Sequence, residues 1–127
     1  MKRILCVLIA FFMVLSMVPA VSFAAELRTV YWDPENGLDS NSGLTEEAPV
    51  KSVAAAYAAL SGADEGVLVM LGNLTLAAVT TFPTCNIPVT ITSKTGAKGI
   101  RSNAHIIVGG DTVFENINME QESSPKI

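Results

Sequence analysis

The sequence predicts an all-β chain with one capping helix, coiled as a stack of short turns. Three observations predict it. From Gly66 onward the apolar residues fall in short runs or alternate with polar ones, separated by Gly, Asn and Pro. Only residues 52–60 carry helical spacing. Similar bends, rich in small polar residues, recur along the β-patterned part, and repeats of about 20 to 50 residues are the mark of a solenoid.

The chain has 127 residues, and its first 24 read as an export signal. Lys2 and Arg3 give a positive start, residues 4–18 carry no charge, Pro19 breaks the run, and Ser22-Phe23-Ala24 offers small residues for cleavage after Ala24. The uncharged run is short for a bilayer, which needs roughly 20 apolar residues. Cleavage leaves residues 25–127, and without Lys2 and Arg3 the net charge falls from −4 to about −6. Such an acidic chain is a poor nucleic-acid binder, and no membrane attachment is expected once the signal is removed. Cys6 lies in the leader, so Cys85 is left alone and a disulfide framework is excluded. The protein is therefore expected to be secreted or held at the cell surface.

Residues 25–65 are expected to form a cap. Leu27, Val30 and Tyr31-Trp32 anchor a short first strand. Residues 33–43 are dense in turn formers, punctuated by Leu38 and Leu44 just beyond. Ser52 is a good N-cap, and Val53, Ala56, Tyr57 and Leu60 then fall on one helical stripe that Ser61-Gly62 terminates. The alanines on the other faces carry no charge, which suits a helix lying over a broad apolar surface.

Residues 66–127 are expected to form incomplete stacked turns. Val67-Leu68-Val69-Met70-Leu71 reads as a strand buried on both faces. Leu74-Thr75-Leu76, Val89-Thr90-Ile91-Thr92, Ile106-Ile107-Val108 and Val113-Phe114 follow as further strands. If Val69 and Leu71 face inward, the inward set changes parity across Gly72-Asn73, and it does so again between Phe114 and Ile117 across Glu115-Asn116. Asparagine readily takes the left-handed conformation that such a corner needs. These corners lie two repeats of about 21 to 22 residues apart, and the middle copy, Ile91-Thr92-Ser93-Lys94, lacks Asn or Gly. Leu27, Val30, Val53, Tyr57 and Leu60 are the expected cap core. Val69, Leu71, Leu74, Leu76, Val89, Ile91, Ile107, Phe114 and Ile117 are expected to stack inside.

Tyr31-Trp32-Asp33-Pro34, then Asn36-Gly37-Leu38-Asp39-Ser40-Asn41-Ser42-Gly43-Leu44 and Ala48-Pro49-Val50-Lys51-Ser52 before an Ala-rich helix, form a recognisable opening. It resembles the N-terminal cap of secreted bacterial right-handed parallel β-helix proteins, the pectate-lyase-like solenoids. Gly109-Gly110-Asp111-Thr112-Val113-Phe114-Glu115-Asn116-Ile117 looks like a rung of the same family. The resemblance implies a right-handed parallel β-helix truncated at its C-terminal end, because members are usually several hundred residues long. It also implies polysaccharide or cell-wall glycan as partner. Open sheet edges would then pair with the remainder of a longer chain or with a second copy.

The residues that could carry chemistry are few. Asp33, Asp39 and Asn41 are the calcium candidates, a metal the resembling enzymes often use. The closing Glu of a calcium loop is missing, and Asx-turn bonds to the backbone account for these side chains as well. Glu46-Glu47, Asp111, Glu115, Glu120 and Glu122 read as solvated charges rather than paired acid and base. His105 and Cys85 stand in no nucleophile motif, and Lys98 and Arg101 read as turn residues. No catalytic or cofactor-binding residue is therefore assigned. The expected function is a non-catalytic β-solenoid segment with a scaffold, adhesin-like or carbohydrate-contacting role. The alternative is the N-terminal region of a polysaccharide lyase or glycoside hydrolase whose catalytic rungs are missing.

Overall fold

The computed structural model describes residues 24–102 and 104–121. The expected export signal lies, apart from Ala24, outside the described residues, as do Asn103 and residues 122–127. The described residues are mostly β with one short helix. In order it runs β1 (Leu27–Trp32), α1 (Val53–Ala59), β2 (Glu65–Met70), β3 (Leu74–Leu76), β4 (Thr80–Thr81), β5 (Val89–Ser93), β6 (Lys98–Ser102), β7 (Ile106–Ile107), β8 (Thr112–Phe114) and β9 (Ile117–Gln121).

Every strand pairing is parallel. The strands form three sheets, ordered β1-β2-β5-β8, β3-β6-β9 and β4-β7. Parallel neighbours cannot be joined by a tight hairpin and need a long return path. Here that path is itself made of strand: the chain visits the three sheets in fixed rotation, β2-β3-β4, then β5-β6-β7, then β8-β9. In the four-stranded sheet the step from β1 to β2 is 38 residues, Leu27 to Glu65, and each later step is 23, from Gly66 to Val89 to Thr112.

This register stacks like on like. Val30, Leu68, Ile91 and Phe114 lie opposite one another in successive strands, and the first three are fully buried. Trp32, Met70 and Ser93 form the neighbouring row. Burying each Leu or Ile in such a row contributes about 1.5–3 kcal/mol. Phe82 joins the rows to the helix, its ring 6.4 Å from Trp32, 6.3 Å from Tyr57 and 6.4 Å from Phe114.

The expected inward set of β2 is reversed. Leu68 and Met70 are buried, whereas Val69 and Leu71 are only half-buried. Every residue from Val67 to Leu71 is apolar, so the run itself could not choose a face; its pairing with Val30 and Trp32 does. The inward set therefore keeps its parity into Leu74 and Leu76, and no flip occurs at Gly72-Asn73. Leu27 and Ile107, expected inside, are exposed, because each falls on the outward side of its strand.

The corners themselves fall where the bends were expected, but by different means. Asn116 does take a left-handed conformation, φ 52°. Its side-chain amide donates to the Ser93 carbonyl, tying the third corner to the second. Asn73 instead accepts the Gly99 N–H through Oδ1 at 2.9 Å. The middle corner differs: expected within Ile91-Thr92-Ser93-Lys94, which lacks Asn or Gly, it lies later and turns at Gly96, φ 60°.

Helix α1 begins as its cap requires, Ser52 Oγ accepting the Ala55 N–H at 3.1 Å. Ala56, Tyr57 and Leu60 are buried on one side, and Leu60 lies against Gly66, where an added Cβ would come within 2.6 Å of it. Arg28 donates to the Ala59 and Ser61 carbonyls at the other end, a cation where the helix presents unpaired acceptors. The Tyr57 hydroxyl is buried outside hydrogen-bonding geometry, so burial raises its phenol above the ordinary 10.0 and the Thr112 hydroxyl offsets this only in part.

Candidate functional site

The three-stranded sheet presents a polar outer face. In β3, β6 and β9 the apolar side chains Leu74, Leu76, Ile100 and Ile117 turn toward the core. The alternation then sends Thr75, Arg101 and Glu120 outward, and the register sets these three side by side. Arg101 donates through Nε and Nη2 to Glu120 Oε2 at 3.2 and 3.0 Å. Asn118 donates to the other oxygen, Oε1, at 2.9 Å. Both carboxylate oxygens of Glu120 are thus held by neighbours on the sheet.

The turn-rich loop overhangs this face. Asp33 Oδ1 accepts the Glu35 and Asn36 N–H groups at 3.0 Å each, and the resulting turn brings Glu35 over Gly72. Gly72 is required there, because a Cβ would run into Asp33 Oδ1. Between loop and sheet lies a groove of about 340 Å³ lined by Glu35, Asn73, Thr75, Gly99, Arg101, Asn118 and Glu120, with Leu74 and Ala97. Its polar groups include carboxylates, carboxamides, a hydroxyl and a guanidinium, and no aromatic ring lines it.

The calcium candidates lie in the loop and each binds backbone. Asp39 Oδ1 accepts the Lys51 and Ser52 N–H groups at 3.0 and 2.7 Å. The Ser52 N–H is the main reason its carboxyl stays below the ordinary 3.8. Asn41 Nδ2 donates to the Pro49 carbonyl at 2.9 Å. Among the described residues no group of three or more His, Cys, Asp or Glu side chains is placed to hold a metal ion. Glu46 pairs with Lys94, Glu47, Asp111 and Glu115 are exposed, and Cys85 is a free, half-buried thiol.

Arg101 and Lys98 were expected in turns and stand in β6 instead. The signal was present: Lys98-Gly99-Ile100-Arg101-Ser102 alternates about a buried Ile100, but its two charges and glycine mask the strand pattern. A second cavity of about 340 Å³, lined by Ile100, Ala104, His105, Ile106 and Met119 among others, opens at the far end of the stack. Ser102, His105, Glu120 and Gln121 complete its lining, so apolar and polar side chains share it.

Comparison with known protein families, curated proteins and solved structures returns no match. Among the described residues no helix is long and apolar enough to cross a membrane.

Proposed function

We propose that the chain is a segment of an exported, pectate-lyase-like right-handed parallel β-helix, non-catalytic as it stands, whose polar groove contacts glycan. One observation carries the reading: the strands rotate through three parallel sheets, and in the largest of them the last two steps, β2 to β5 and β5 to β8, are equal. A right-handed path follows the general rule for parallel crossovers. The groove supports the sugar-contacting role, since a concave surface mixing donors and acceptors suits ligands made of hydroxyl groups. The outer edges of β8 and β9 are, in this reading, where the stack continues, in further chain or in a second copy.

Two measurements test it. The secreted product should begin at Ala25, read by intact mass; retention of residues 1–24 would contradict export. A panel of immobilised polysaccharides should retard the wild-type protein and release the Arg101→Ala variant, with no bond cleavage detected. Turnover of any polysaccharide would instead assign the chain to a lyase or hydrolase.

A further inference from the structure

The charges of the groove narrow its ligand, and this inference rests on the glycan-contacting reading above. Arg101 is the one cation lining the groove. Its Nε and Nη2 are already committed to Glu120, whose second oxygen is held by Asn118. Glu35, on the opposite wall, pairs with no cation among the described residues. The lining is therefore one charge short of neutral, on the negative side, and the charge of its one cation is already balanced by Glu120.

We infer that the groove takes an uncharged glycan and rejects a uronate one. A sugar carboxylate entering it would meet the Glu35 carboxylate with no free cation to compensate, and like charges at close range suppress the wrong partner more than they weaken the right one. Hydroxyl groups face no such conflict. Each can donate to Glu35 and accept from the Asn73 amide, the Thr75 hydroxyl or the remaining guanidinium N–H groups of Arg101. The row Thr75-Arg101-Glu120 crosses three strands spaced about 4.8 Å apart, close to the length of one pyranose ring, so an extended chain can lie along it. With no aromatic platform the affinity is weak, in the millimolar range.

The test is an amide-shift titration of the ¹⁵N-labelled protein with cello-oligosaccharide and with oligogalacturonate of equal length. The expected result is saturable shifts at Thr75, Gly99 and Asn118 with the neutral chain, and binding of the acidic chain weaker by about threefold to tenfold. Glu35→Gln, which sits on an exposed loop, should narrow that ratio toward one by strengthening uronate binding. Equal or tighter binding of the acidic chain in wild-type protein overturns the inference, as do shifts confined to residues outside the groove. The first of these results leaves contact between groove and glycan standing, whereas the second overturns that reading as well. Silence toward both sugars, at concentrations of tens of millimolar, overturns the glycan-contacting reading and the inference with it.

Discussion

The two edges of the four-stranded sheet are treated differently. At β1 the turn-rich loop folds back along the strand: Tyr31 N–H donates to Gly43, Val50 N–H to Tyr31, and Asp33 N–H to Val50, at 2.7, 3.1 and 2.8 Å. The loop is itself fixed, by Asp39 on the Lys51 and Ser52 amides and by Asn41 on Pro49. At β8 no further strand follows among the described residues, and Val113 is about half exposed. An edge with its backbone groups occupied cannot recruit another strand, whereas an open one can. The difference gives this sheet unlike edges: irregular chain occupies the Tyr31–Asp33 end of β1, whereas β8 stands as an open edge among the described residues.

The strongest way to break the closed edge is to remove what it rests on. Trp32 is fully buried and its Nε1 donates to the Lys51 carbonyl at 2.9 Å, linking β1 to the loop's return. Trp32→Ala should cost about 3–5 kcal/mol, measured by urea denaturation. A loss under 1 kcal/mol would mean that the loop closes the edge without it. Gly37→Ala comes next, at about 2–4 kcal/mol, because the added methyl would strike the Val50 carbonyl, a backbone atom that cannot step aside.

The open edge should respond differently. Val113→Lys places a charge on the exposed side of β8 and should leave monomer stability within about 0.5 kcal/mol, while reducing any concentration-dependent association seen by sedimentation. Association unchanged by the charge would argue that growth does not run through β8.

Asp39 gives the smallest effect and a sign that can be checked. Its carboxyl is held down mainly by the Ser52 N–H, so it stabilises the fold above its unfolded value, near 3.9, and that contribution disappears as pH falls through the lower folded value. The group is almost fully solvated, and screening keeps the contribution well under 1 kcal/mol. Asp39→Asn should flatten this part of the acid limb. A steeper limb in the variant would contradict the role given to Asp39. Tyr57→Phe, which deletes an unpaired buried hydroxyl, should raise stability by up to about 1 kcal/mol.

Much of this contrast was legible in the residues. Ser52 marked the helix start, the density of Asp, Asn, Gly and Pro marked the loop, and Asn116 marked a left-handed corner, because each of these acts locally. What was hidden depends on partners distant in sequence. The apolar run of β2 carries no internal cue to its inward face, and only pairing with β1 selects Leu68 and Met70. Phe82, between Thr81 and Pro83, looks like loop until Trp32, Tyr57 and Phe114 gather around it. The groove was missed for the same reason: Glu35, Asn73, Arg101 and Glu120 come from the loop and three successive turns, and no local pattern joins them.

The parallel register is the most direct point of attack. In solution, nuclear Overhauser contacts should link the Leu68 methyls to Ile91 and Ile91 to the Phe114 ring, with the amides of Gly66, Val89 and Thr112 aligned across adjacent strands. Parallel pairs lack the close Hα–Hα approach of antiparallel ones, whose non-hydrogen-bonded residues bring Cα atoms to about 4.5 Å. Absence of strong cross-strand Hα–Hα contacts, together with the Leu68–Ile91–Phe114 series, is the expected result. Strong Hα–Hα contacts between β2 and β5 would mean an antiparallel sheet, and the stacked turns with their groove would fall with it.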